Sequence, residues 1–231
     1  MKFFFLFAGI AAFAQQSAQD KRDQPKLEYI SGMLDDLQHS WDNELPRMTK
    51  VNYHHAKLVL FRNKYPSSCG SARTAIGPFY CPGDEKVYLD LSFFDELKQR
   101  FGVPGNFAQA YVIAHEIGHH VQKLLGIESK VQRMRQRNPR DANQLSVRLE
   151  LQADCYAGIW AHYTKMRGKI QDRDVNSAME AAAAVGDDRL QREAHGSVHP
   201  ESFTHGSSAQ RQQWFRTGSA AGRIEACDTF R

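Results

Sequence analysis

No stretch of this 231-residue chain is apolar for long enough to cross a bilayer. The apolar run Phe3 to Ala12 is well short of the ~20 residues that a spanning helix needs. An excess of one charge is missing as well. Thirty Lys and Arg face 26 Asp and Glu, and the net charge of +4 is too mild to imply nucleic-acid or membrane binding. No internal repeat and no low-complexity block appears beyond the short Ala181 to Ala184 run, which argues against a repeat architecture. Cysteine is scarce, with four in the chain and no C-x-x-C pair, so a cysteine zinc site or a thioredoxin-like redox motif is excluded. What is present is apolar material for a real core: 42% hydrophobic residues, with 14 Phe and 3 Trp.

The start of the chain reads as an address. Lys2 supplies a small positive region, Phe3 to Ala12 an apolar one, and Ala12-Phe13-Ala14 an A-x-A cleavage site. No Cys follows that site, so lipid attachment there is not available. The expected organisation is a signal peptide at 1–14, a polar tether at 15–26 and a single domain at 27–231, exported to the periplasm or secreted. The cysteines fit export. Cys69, Cys81, Cys155 and Cys227 allow three pairings. Cys69 and Cys81 flank a Gly-rich, β-like segment and suit a hairpin-type bridge, which leaves Cys155 for Cys227; four free thiols are the alternative if the leader is false.

Leu27, Ile30, Leu34, Leu37, Trp41 and Leu45 repeat at helical spacing, and Pro46 is expected to end that helix. Leu58 to Phe61, Thr74 to Tyr80 and Lys86 to Leu91 read as strands of a small antiparallel sheet. Val87 to Leu91 is either an edge strand able to pair with an extended peptide or an ordinary edge. The basic run from Lys130 to Arg140 reads as a solvated face.

A second helical pattern runs through Phe107, Ala110, Tyr111, Ala114, Ile117, Val121 and Leu124, from a turn at Pro104-Gly105-Asn106 to a stop at Gly126. His115 and His119 lie four residues apart on it, so both imidazoles leave one face. Two neutral imidazoles so placed can share a Zn²⁺, and Glu116 between them can act as general base on a water at the metal. Further on, Asp141 is placed to cap a helix that is apolar on all sides from Leu149 to Ala161, and therefore buried. Glu150 and Asp154 sit on one face of it. Burying carboxylates costs several kcal/mol each without compensation. A metal compensates Glu150 as third ligand, and the N–H of a ligand histidine compensates Asp154. The competing reading pairs them with Arg148 or Arg189.

The strings Ala114-His-Glu-Ile-Gly-His-His-Val-Gln122, Leu149-Glu-Leu-Gln-Ala-Asp-Cys155, Gly186-Asp-Asp-Arg189, Phe203-Thr-His-Gly-Ser-Ser-Ala-Gln-Arg211 and Ala226-Cys-Asp-Thr-Phe230 occur in order. They resemble the neutral zinc metallopeptidases of bacteria, and the E-x-x-x-D helix resembles that of the gluzincins. The resemblance covers about Cys69 to the end. It implies zinc on His115, His119 and Glu150, and a gluzincin-like α+β, mainly helical fold with a small antiparallel sheet packed on the HExxH helix. Members often carry a longer N-terminal membrane anchor than the short leader here. His205 stands two residues before a capping box, Ser207 to Gln210, whose helix N-terminus is expected to keep its imidazole neutral. By resemblance to the His-then-Arg element of membrane-associated gluzincins, His205 assists the substrate oxyanion; should it not, Tyr156 is the next candidate. Arg211 is expected to pair with Asp187 or Asp188. His120 and His162 point away from the ligand face.

The function expected is a zinc-dependent endopeptidase. The alternatives are an inactive zinc-stabilised binding protein and an amidase acting on cell-wall peptides. A peptide or protein substrate is expected and nucleic acid is not; the residues leave membrane association and oligomeric state open.

Overall fold

The structure, a computed structural model, describes residues 7–62, 64–73, 77–100 and 106–231. Helix α1 runs from Phe7 to Thr49, so the polar stretch 15–26 is helical. One anchor is visible: the Arg62 guanidinium donates to both Asp23 carboxylate oxygens, at 2.7 and 2.8 Å. Pro46 also fails to end the helix. A proline removes one N–H but leaves its own carbonyl available. Lys50 N closes the last turn on Pro46 O at 3.0 Å, and Thr49 Oγ1 donates to Leu45 O. Ile30, Leu37, Trp41 and Leu45 form the buried stripe of α1, and it lies on two later helices, α3 (Asn106–Leu124) and α5 (Ala142–Met166).

Strands β1 (Lys57–Phe61), β4 (Phe79–Cys81) and β5 (Lys86–Asp90) make a sheet in the order β1-β5-β4. It is mixed and not antiparallel: β5 runs parallel to β1 and antiparallel to β4. A parallel pair needs a long crossover. The chain between β1 and β5 supplies it with a hairpin the sequence did not announce, β2 (Lys64–Ser67) and β3 (Gly70–Arg73), followed by β4. Strand β5 is therefore central, and β4 is the edge that lies against α3. The expected strand Thr74 to Tyr80 is β4 only from Phe79, and residues 74–76 lie outside the described ones.

Helices follow: α2 (Leu91–Arg100), α3 (Asn106–Leu124), α4 (Ile127–Arg137), α5 (Ala142–Met166), α6 (Asp172–Ala184), α7 (Asp187–His195) and α8 (Ser208–Ala221). The chain is α+β and mainly helical, and β4 and β5 lie against α3. Asp141 occupies the N-cap position of α5 but makes no side-chain bond to the helix; its carboxylate accepts from Asn138 instead. The α5 segment from Leu151 to Ala161 is buried on every side.

Helices α5 and α8 cross at two facing glycines. A Cβ on Gly218 would lie 1.9 Å from Cys155 O, and one on Gly158 would lie 2.1 Å from Phe215 O. Only hydrogen fits there. Gly118 does the same for α3 and α5, where a Cβ would meet Ala153 O at 2.9 Å. Both disulfides are present, Cys69–Cys81 and Cys155–Cys227. The first fastens the β2–β3 turn to the end of β4, and the second fastens the tail to α5. Such bridges suit an oxidising compartment. Among the described residues no helix is long and apolar enough to cross a membrane.

Candidate metal centre

Helix α3 presents His115 and His119 one turn apart, and the close approach at Gly118 brings α5 alongside with Glu150 and Asp154. His115 Nε2 lies 3.0 Å from Glu150 Oε2, and His119 Nε2 lies 3.5 Å from Glu150 Oε1. The three donor atoms fall within 4.8 Å of one another. Zinc bonds of 2.0–2.2 Å in a tetrahedron set ligand atoms about 3.4 Å apart. The set therefore fits a metal ion with little movement.

Each ring is turned to present Nε2. His115 Nδ1 donates to Asp154 Oδ1 at 2.8 Å, and His119 Nδ1 donates to Gln122 Oε1 at 2.8 Å. Gln122 in turn donates to Leu149 O and to Gln152 Oε1, and Gln152 donates to Cys227 O. A ladder of amides thus connects His119 to the tail disulfide. Sequence reasoning missed Gln122, although its place three residues after His119 puts it on the same helix face.

Asp154 is fully buried and has more support than expected. Tyr111 Oη donates to Oδ1 at 2.5 Å, and the Arg211 guanidinium donates to both oxygens, at 2.8 and 3.0 Å. Burial works to raise the Asp154 carboxyl, but Arg211 and His115 outweigh it and hold it below its usual range. Arg211 therefore does not pair with Asp187 or Asp188, and neither Arg148 nor Arg189 meets this carboxylate: Arg148 donates to Phe230 O, and Arg189 meets Glu193. The partnership spans 57 residues and has no local signature.

The electrostatics of the cluster call for positive charge. Burial would depress the His115 imidazole, yet Asp154 and Glu150 lift it to about 10. His119 is likewise raised, by Glu150 against burial. Glu150 is pushed up by burial and held well below its normal range by the two histidines. A divalent cation answers the same demand and must displace protons to enter. Glu116 goes the other way: burial raises it, and the nearby histidines only partly offset this. The backbone of Tyr80, on edge strand β4, lies close to its carboxylate and also works against the rise.

His205 lines the same cleft, and so do Arg211, Val112, Val185 and Leu190. Its loop is organised by Asp187, which accepts from the backbone N–H of Thr204, His205 and Gly206 and from His205 Nδ1 at 3.1 Å. That hydrogen bond raises the His205 imidazole, so the carboxylate overrides the helix N-terminus expected to keep it neutral. Asp188 accepts from Ser208 N and Oγ and so holds the start of α8. Tyr156 is elsewhere: it is fully buried, 6.0 Å edge-on from Trp41, beside a separate cavity of about 310 Å³. His162 bonds Ser219 O. His120 is fully buried; its Nε2 donates to His54 O, so its Nδ1 accepts from Tyr80 Oη at 2.9 Å. It therefore pins β4 to the metal helix.

A family described as "Putative neutral zinc metallopeptidase" matches residues 8–230 of the chain. The protein belongs to this family. It is 45% identical over 228 residues to "Uncharacterized protein YpfJ" of Escherichia coli (strain K12), covering 97% of this chain and 79% of that one. It is 44% identical over 201 residues to "Uncharacterized protein Mb2605" of Mycobacterium bovis, covering 82% of this metallopeptidase-family chain and 66% of that relative. No solved structure matches it.

Proposed function

We propose that the protein is a zinc-dependent endopeptidase, exported to the periplasm or secreted, with a gluzincin-like site. The observation that carries the reading is the convergence of two Nε2 atoms and one carboxylate beside a second carboxylate, Glu116, that takes no part in holding the ligand rings. His115, His119 and Glu150 would hold the ion. When bound, zinc supplies Lewis acidity, polarising a carbonyl oxygen and acidifying water.

The chain does the rest. Glu116 takes the proton of the attacking water and delivers it to the leaving amine nitrogen. A carboxyl raised by burial is the better proton carrier for both transfers, and the Tyr80 backbone lies beside it. Asp154 holds the His115 ring by Nδ1 and Gln122 holds that of His119, so neither ring swings. His205, bound through Nδ1 to Asp187, keeps Nε2 for the cleft. With its raised affinity for a proton, that nitrogen donates to the oxyanion forming on the substrate carbonyl.

The test is Glu116→Gln in purified protein with measured zinc content and a peptide-library digest. Zinc should stay, and turnover should fall at least about a hundredfold. Unchanged hydrolysis removes Glu116 from the mechanism. Absence of hydrolysis by the parent on every peptide favours a zinc-stabilised binding protein. His205→Ala should also keep zinc and lose kcat by about a hundredfold, with a smaller change in KM.

A further inference from the structure

The cleft has two chemically different ends. Its floor is α3, from Val112 to Gln122, which at 1.5 Å per residue is about 15 Å long. An extended peptide of four or five residues covers that length. At the His115 end lie Phe93, Val112, Val185 and Leu190, an apolar wall. At the His119 end α3 stops, Gly126 turns the chain at φ 71°, and the first turn of α4 brings Glu128 into the cleft wall beside Pro82 and Leu149.

Three carboxylates line the cleft, Glu116, Glu128 and Glu150, and of these and the acidic residues just behind them only Glu128 has no assigned work. Glu150 meets both histidines, Asp154 and Asp187 each have several donors, and Glu85 is bound by Lys123 and His54. Glu128 makes no hydrogen bond or ion pair among the described residues. Lys123, whose charge attracts it, is spent: its Nζ donates to Glu85 Oε1 at 2.7 Å and to Pro82 O at 2.5 Å. Arg135, two turns along α4, contributes attraction only at longer range, as do His119 and Lys123. An acidic residue in a first helical turn is favoured by the helix dipole, which accounts for a Glu here but not for its half-burial in the wall of the cleft. Burial raises this carboxyl despite those cations, as expected of a group whose strong partner is not supplied by the chain.

We propose that Glu128 is a specificity residue, the subsite for a lysine or arginine side chain of the substrate on the His119 side of the scissile bond. The inference rests on the endopeptidase reading for the word scissile, but the recognition itself is a binding property. A half-buried carboxylate facing a cation makes a charge-assisted hydrogen bond that a neutral side chain does not match. The substrates this cleft selects are then peptides with a basic residue at one fixed position.

Two measurements test this. The first is cleavage of eight-residue peptides identical except for Lys, Leu or Glu at each position in turn. The parent should prefer Lys at one position by about tenfold in kcat/KM. Glu128→Gln should bring that ratio near one with zinc content and thermal midpoint unchanged, and Glu128→Lys should turn the preference toward Glu. The second measures affinity of the same peptides for zinc-loaded Glu116→Gln protein, with and without Glu128→Gln, and needs no turnover. If the parent cleaves nothing, the endopeptidase reading fails while the affinity series still decides the subsite. Cleavage or binding indifferent to Lys, or a Lys preference surviving in Glu128→Gln, overturns the proposal.

Discussion

Arg211→Met isolates the buried charge pair behind the metal helix. Asp154 is fully buried and Arg211 only 4% exposed, so water cannot replace either partner. Methionine keeps most of the volume and removes the two guanidinium bonds at 2.8 and 3.0 Å, leaving the carboxylate with Tyr111 and one ligand histidine. Breaking a buried pair from one side typically costs ~3–5 kcal/mol, because an uncompensated charge remains. For a chain of this size that is a fall in thermal midpoint of roughly 6–20 °C. The pH dependence gives a second readout. Asp154 titrates lower in the folded parent than in the unfolded chain. The stability it contributes is therefore present above the ordinary carboxylate pKa and disappears as pH falls through the depressed folded value. Without Arg211 the depression shrinks, so the gap between parent and variant should be widest near neutrality and narrow toward acid. Adding Asp154→Asn should recover part of the loss, since a neutral side chain no longer needs the guanidinium. The assay is denaturant and thermal unfolding of both variants across pH with metal content measured in parallel. An Arg211→Met protein within about 1 kcal/mol of the parent at neutral pH would refute the argument.

Glu150→Ala should lose most bound zinc, because it removes the only anionic ligand of the set, whereas His162→Ala should not, its ring being occupied with Ser219; metal analysis of the two decides, and one tightly held zinc per chain in the Glu150 variant would sink the ligand assignment. Gly218→Ala should destabilise by more than the ~1–3 kcal/mol of ordinary overpacking, since the new methyl meets backbone and not a side chain that can turn aside; near-parent unfolding would show that the helices can separate freely.

The candidate ligand set was legible because its chemistry is local. His115 and His119 share a helix face, and Glu150 and Asp154 betrayed themselves as carboxylates in an apolar helix. The partners of those residues were legible only when close in sequence. Gln122 stood within reach of the 3.6-residue period and was overlooked; Arg211 and the Tyr80 backbone come from elements far along the chain, and no pattern connects them to Asp154 or Glu116. The sheet failed for a related reason: alternation says that residues form a strand, not which neighbour it takes. Hence β5 was expected at an edge and is central, with β4 as the edge beside Glu116. Pro46 misled because a proline near the last turn of a helix loses only one bond.

The buried pair also sets a schedule for assembly. A chain emerging from its N-terminus displays all three ligand residues well before Arg211, which follows Asp154 by 57 residues, and Cys227, which follows Cys155 by 72. Until both arrive, Asp154 has no guanidinium, Gln152 has no tail carbonyl to hold, and α5 lacks the helix that crosses it at Gly158. A nascent or C-terminally clipped chain thus carries the metal motif without the walls that orient it. On the endopeptidase reading proposed above this ordering would be protective, because the candidate centre is complete only once Arg211 and Cys227 are in place.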